Sequence, residues 1–209
     1  MKMKRRNFIA TSIIGSVTAG SLMLETFAQP PTDKPKAITN KIKKRPLKPF
    51  YIPPETQIAP RTTKIRFDSI NNQFCAAEYK FLPKTMGPAP HVHKDLDQIM
   101  RVLKGTITIT VGDEVFEVNE GGWHMRPHGI VHTFWNASDE PAFFIDIFPN
   151  QNFDVFLDEV KKLNSGFVLR GISSDSDEAR SQLDKLHAEW GIVIYHDQRK
   201  PLMEKYGLK

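Results

Sequence analysis

From about Ile65 to Phe148 the chain is a series of short apolar or alternating runs. Each is cut off by a turn signal: Pro83, Gly87-Pro88, Lys104-Gly105, Gly112-Asp113, Gly121-Gly122, Pro127-His128-Gly129 and Pro141. Runs this short, closed by Gly and Pro, predict strands rather than helices. Thr106-Ile-Thr-Ile-Thr-Val111 is β-branched at every position, and Glu114-Val-Phe-Glu-Val118 follows after Gly112-Asp113. Two such runs around a Gly-Asp pair predict a hairpin. Many strands at short spacing require a sandwich or barrel, because a parallel α/β sheet would need helices between them. No segment repeats, so the expectation is one barrel.

After Phe148 the period changes. Phe153, Phe156, Leu157, Val160 and Leu163 recur at helical steps, and Ala179, Leu183, Leu186 and Trp190 mark a second helix. Ser174 is available to cap that helix, and Asp175, Asp177 and Glu178 suit its positive end. Both helices are expected to cover the outside or one mouth of the barrel.

The first 60 residues read differently. Met1 to Arg6 is a basic head, Phe8 to Leu24 is apolar and small, and Thr26-Phe27-Ala28 offers a cleavage site. That is the anatomy of a secretory signal, which predicts a bacterial protein exported to the periplasm or secreted. Arg5-Arg6 with Asn7, Phe8 and Ile9 resembles the twin-arginine motif, although Lys4 and Ala10 depart from it. An ordinary Sec signal fits equally. The apolar stretch is too short and diluted for a span, so no membrane anchor is expected after cleavage. Residues 29–60 hold eight prolines and a Lys/Arg cluster, which predicts a solvated linker whose end, Phe50-Tyr51-Ile52, packs on the barrel. The boundaries are therefore 1–28 leader, 29–60 linker, 61–150 barrel and 151–209 helical extension.

Charge follows the same division. The chain carries a net +5, but residues 1–60 hold eleven basic and three acidic side chains, leaving 18 and 21, a net −3, for residues 61–209. A basic face for nucleic acid is not expected on the folded part. The single cysteine, Cys75, lies in an alternating run and reads as a buried structural thiol.

Five of the seven histidines fall between positions 91 and 132. His91 and His93 are two apart, so on a strand both rings share a face and can chelate one ion. The surrounding pattern resembles the cupin superfamily. The first motif reads Gly87-Pro-Ala-Pro-His91-Val-His93-Lys-Asp-Leu-Asp-Gln98-Ile-Met-Arg-Val-Leu-Lys-Gly105. The second reads Gly121-Gly-Trp-His-Met-Arg-Pro127-His-Gly129-Ile-Val-His132-Thr-Phe-Trp-Asn136. Every fixed position of the second motif matches, and fifteen residues separate the two. The helices after the strand region extend a looser similarity, over roughly 65–205, to small quercetinase-like cupins. The resemblance implies an all-β double-stranded β-helix, the jelly-roll or cupin barrel, with C-terminal α-helices. It also implies pairing of barrels into a homodimer.

The ligand set implied by this resemblance is His91, His93, Gln98 and His132, holding one divalent transition metal: Fe, Mn, Ni, Co, Cu or Zn. Pro127 and Gly129 form the turn that delivers His132, expected on a strand across the barrel from His91 and His93. The glycine before the first pair stands closer to His91 than in the family. The family's glutamate is also replaced. Counting back from Gly105, its position falls on Gln98, while Asp97 meets only the shorter spacing from His93. Glutamine can offer its amide oxygen but brings no charge and no general base. Asp97, Asp95 and Glu78 are the nearby carboxylates. His124 and His128 lie outside the ligand spacing, and His187 is expected on a helix surface. By alternation, Phe134 faces inward with His132, and Met100 and Val102 share the face of Gln98, which predicts a substrate pocket with apolar walls. Two functions fit: a metal-dependent dioxygenase or oxidoreductase acting on a small oxygen-chelating substrate, and a non-catalytic periplasmic binding cupin.

Overall fold

The computed structural model describes residues 45–55, 59–174 and 176–209. The leader 1–28 and the linker up to residue 44 lie outside the described residues. Eleven strands are present among those described: β1 (Arg61–Ile65), β2 (Phe74–Phe81), β3 (Thr85–Met86), β4 (His91–His93), β5 (Gln98–Lys104), β6 (Thr106–Val111), β7 (Glu114–Asn119), β8 (Trp123–Arg126), β9 (His132–Asn136), β10 (Ala142–Pro149) and β11 (Ile192–Ile194). They form two antiparallel sheets. One has the order β1-β2-β10-β5-β8, and the other β11-β4-β9-β6-β7 with β3 beside β9. This is the expected jelly-roll architecture, in which strands close in sequence alternate between two facing sheets. The β6–β7 hairpin turns at Gly112-Asp113 in the expected register, Val111 opposite Glu114. Gly112 takes φ +57°, a conformation that costs glycine nothing.

Alternation decides what each strand buries. On β10, Ala142, Phe144, Asp146 and Phe148 are buried, while the intervening residues are only partly covered. One apolar cluster fills the barrel between Met100, Val102, Ile107, Ile109, Phe134 and Phe144. A second forms where helices close the other end, around Cys75, Leu96, Phe148, Phe153, Phe156 and Leu157. Each aromatic buried there contributes about 1.5–3 kcal/mol. Cys75 is the buried thiol expected. It accepts from the Asp154 amide, and burial pushes its pKa up to about 12.

The extension begins with α1 (Phe153–Leu169) and α2 (Asp177–Glu189). The cap of α2 is Ser176, whose hydroxyl accepts from the Ala179 amide at 3.2 Å, and not Ser174. Its Asp177 and Glu178 sit in the first turn as the helix dipole favours. The chain then does something periodicity did not announce. Gly191, at φ +68°, turns it into β11, which pairs antiparallel with β4, Ile192 opposite His93 and Ile194 opposite His91. A last helix, α3 (Arg199–Tyr206), follows. Arg199 donates from Nη1 to the Gly87 carbonyl at 2.7 Å, and the Tyr206 ring lies 4.4 Å from that of Trp135. At the other end of the described chain, Phe50, Tyr51 and Ile52 are exposed rather than packed on the barrel. That segment is held instead by polar contacts, Arg45 to the Asp68 carbonyl and Glu55 to Lys64.

Candidate metal centre

His91 and His93 occupy alternate positions of β4, so both rings enter the barrel, as their spacing predicted. His132 opens β9, which is the immediate neighbour of β4 and not a strand across the barrel; its Cα partner is His91 itself. The intervening β5 to β8 leave this edge and return, so two strands far apart in sequence lie side by side. The Pro127–Gly129 turn still performs the delivery. Gly129, at φ +74°, donates its amide to the His93 carbonyl at 2.8 Å, tying the second motif to the first. What lies across the barrel is Gln98, on β5 of the facing sheet, with Arg126 of β8 opposite it in register.

The three imidazoles are buried, with ring centroids 4.5–5.4 Å apart. One nitrogen from each lies within 4.8 Å of the others. Nδ1 of His91 faces the Ala89 carbonyl at 2.9 Å, and Nδ1 of His132 faces that of Ile130 at 3.0 Å. A carbonyl can only accept, so each Nδ1 carries the proton and each Nε2 keeps its lone pair. Burial pushes the pKa of His91 down to about 4, His132 to about 3 and His93 to about 2. All three are therefore neutral donors at neutral pH. His132 Nε2 and His93 Nδ1 are buried without a hydrogen-bond partner. Three neutral imidazoles, two of them with an orphaned nitrogen, fit a divalent cation, which would satisfy what the protein leaves unpaired.

Gln98 reaches the same cluster. Its amide nitrogen lies 2.9 Å from His93 Nε2, and a half-turn of the amide presents Oε1 in the same place. None of the carboxylates named from the sequence reaches the cluster. Asp97 is bound by the amide and ring of His128, Asp95 is exposed, and Glu78 pairs with Lys64 at 3.3 Å. His124 stays outside the cluster, packed against Phe116.

Beside the imidazoles is a cavity of about 190 Å³. Phe134 lines it, as alternation predicted; Met100 and Val102 do not, being wholly enclosed in the apolar cluster behind it. Phe148, Phe153, Phe156, Leu157 and Ile192 complete the apolar wall. Four polar residues also line it: Arg61, Arg126 and Asp146, none of them singled out from the sequence, and His187, which was expected on a helix surface and is instead half-buried with its ring at the cavity. Arg126 and Asp146 are fully buried and paired, the guanidinium also lying 5.3 Å from the Phe134 ring. Burial raises the Asp146 carboxyl above the usual range, with Arg126 pulling the other way. Arg61 donates to the Leu157 carbonyl at 2.6 Å, and His187 of α2 completes the four. Because Arg126 neutralises Asp146, no carboxylate in the cavity is free to offset a cation's charge. The signals were present: Asp146 alternates with Phe144 and Phe148, and His187 follows Leu183 by four along the apolar stripe of α2.

Comparisons with known proteins bear on the strand region. Residues 77–148 match the family model described as Cupin domain. Among solved structures, KdgF from a Halomonas species is 23% identical, with 46% of this chain aligned to 81% of that one at a TM-score of 0.40. A cupin protein from Bacteroides fragilis is also 23% identical, covering 46% of this chain and 82% of that one, at 0.39. A Lactobacillus farciminis oxalate decarboxylase, solved as a formate complex, is 21% identical over 43% of this chain at 0.38, and the match spans only 28% of that chain. No curated protein matches in sequence. The family match runs from within β2 to β10, the strands that carry all three histidines, and this part of the chain is similar to a cupin domain.

Proposed function

We propose that the protein binds one divalent transition metal through His91, His93 and His132, with the Gln98 amide oxygen as fourth ligand, and acts on a small oxygen-chelating organic molecule. The observation that carries this reading is the convergence of three neutral, buried imidazoles, two of which, His91 and His93, line a largely apolar cavity. The metal would supply Lewis acidity and, for a redox-active ion, oxygen chemistry. The chain's own residues do the rest. Phe134, Phe148 and Phe153 exclude water, which strengthens every polar contact made inside. The backbone carbonyls of Ala89 and Ile130 fix the ring orientations. Gln98 adds no charge, so the site favours a ligand that brings its own, such as an enolate or phenolate oxygen.

A dioxygenase or related oxidoreductase of the quercetinase-like kind is the reaction proposed. Metal-loaded protein is expected to consume oxygen with flavonol or enol compounds. Gln98 also favours a second reading, a non-catalytic ligand-binding cupin, since it cannot act as the base. Tight binding of such compounds without oxygen uptake, with uptake created by Gln98→Glu, is the outcome that selects the binder. The leader at 1–28 supports export to the periplasm or beyond, and a homodimer through barrel strands completes the proposal.

A further inference from the structure

We propose that His187 takes up the proton of an acidic O–H group when a ligand bearing one seats in the cavity, and that Asp184 holds the resulting imidazolium. This rests on the proposed function of the same site and assigns the base that Gln98 cannot be.

The geometry has three parts. His187 comes from α2, outside the family match, and lines the same cavity as His91 and His93. It is close enough that a charge on it would disfavour protonation of both. One turn back on α2, Asp184 places Oδ1 3.7 Å from His187 Nδ1. The same Oδ1 lies 2.9 Å from Nε2 of His196, an exposed residue in the 3-10 turn after β11. The Asp184 side chain is itself 42% exposed, as is that of His196, so the carboxylate joins the cavity histidine directly to water. His187 Nδ1 is buried and makes no hydrogen bond, so a proton there gains its stabilisation from Asp184. The ring's other nitrogen, Nε2, is then the acceptor.

The groups around His187 set its readiness. Burial lowers its pKa, Asp184 opposes that, and His196 adds to the lowering. Phe156 of α1 packs against the ring at 5.7 Å and contributes no charge, while Glu159 of the same helix is engaged by the Trp190 indole. His91 and His93 face it neutral from the barrel. At neutral pH His187 is therefore an unprotonated imidazole. In the proposed step the ligand's O–H bond breaks and an N–H bond forms on His187; no electrons change owner. The ligand gains a negative charge beside the metal ligands and the helix gains a positive one beside Asp184, so the net charge of the complex is unchanged.

The test uses the full chain loaded with zinc and 4-nitrocatechol as the probe, whose absorbance reports its ionisation. Calorimetry in two buffers of different ionisation enthalpy gives the protons released per ligand bound. At a pH where His187 is neutral, His187→Gln is expected to release about one proton more per ligand than the wild type, because the variant has nowhere to keep it. In the wild type, the ring signal of His187 in NMR, assigned through the same variant, is expected to move to the imidazolium position on binding. Binding with the same proton count in both proteins and an unmoved ring signal overturns the inference and leaves the metal site standing. Failure of 4-nitrocatechol to bind protein shown to retain its zinc overturns the chelation reading as well.

Discussion

Arg126 and Asp146 lie side by side in the barrel, each almost without exposed surface. Removing one partner of such a pair leaves a charge with no compensation, which costs about 3–5 kcal/mol. Asp146→Asn is expected to lower the unfolding free energy by that amount in urea. The double variant Arg126→Met/Asp146→Leu is expected to recover most of the loss, since it removes both charges and keeps the volume. The histidines set the response to acid. Burial holds His91, His93 and His132 below their ordinary pKa of 6.5, at about 4, 2 and 3, so below pH 6.5 the unfolded chain binds protons that the folded chain refuses. Stability contributed by their neutral state is full above pH 6.5 and is lost as pH falls toward the folded-state values. Urea titrations of metal-free protein should show stability declining from pH 6.5 downward, with the slope approaching about three protons per molecule. A pH-independent midpoint between 7 and 5 would contradict the burial of these rings.

The elements show where sequence reasoning reaches and where it stops. Period-two alternation placed His91, His93 and Phe134 on inward faces, and helical spacing located α1 and α2. Pairing is another matter. Alternation tells which way a side chain points but not which strand lies beside it, so His132 was expected across the barrel from His91 and is found on the neighbouring strand. Met100 and Val102 point inward as expected, yet they are sealed behind the cavity wall, because depth along a strand is set by tertiary packing and not by period. Three-residue β11 is too short to carry a periodic signal, and only its pairing with β4 makes it a strand. The α2 cap gives a local check. Ser176→Ala removes an acceptor for the Ala179 amide and is expected to cost about 1 kcal/mol, while Ser174→Ala costs a few tenths at most.

At the scale of the molecule, the strand region supplies the three histidines and the extension closes the site. Phe153, Phe156, Leu157, His187, Ile192 and Ile194 all belong to the extension and all line the cavity. Ending the chain at Gly191 is expected to leave the sheets folded, since their pairing is otherwise internal. It strips β11 from the edge of β4, however, and opens the cavity to water. Loss of that support for His91 and His93 is expected to weaken metal binding by roughly tenfold or more. Competition with a chromogenic chelator measures it, and equal affinity in the shortened chain contradicts a closing role for the extension. The most direct test of the central claim is elemental analysis of the purified chain and of its His132→Ala variant, with circular dichroism to establish that the fold is retained. The account predicts close to one transition-metal ion per chain in the first and almost none in the second. A folded wild-type protein without bound transition metal after metal supplementation, or a variant that keeps its ion, would contradict it.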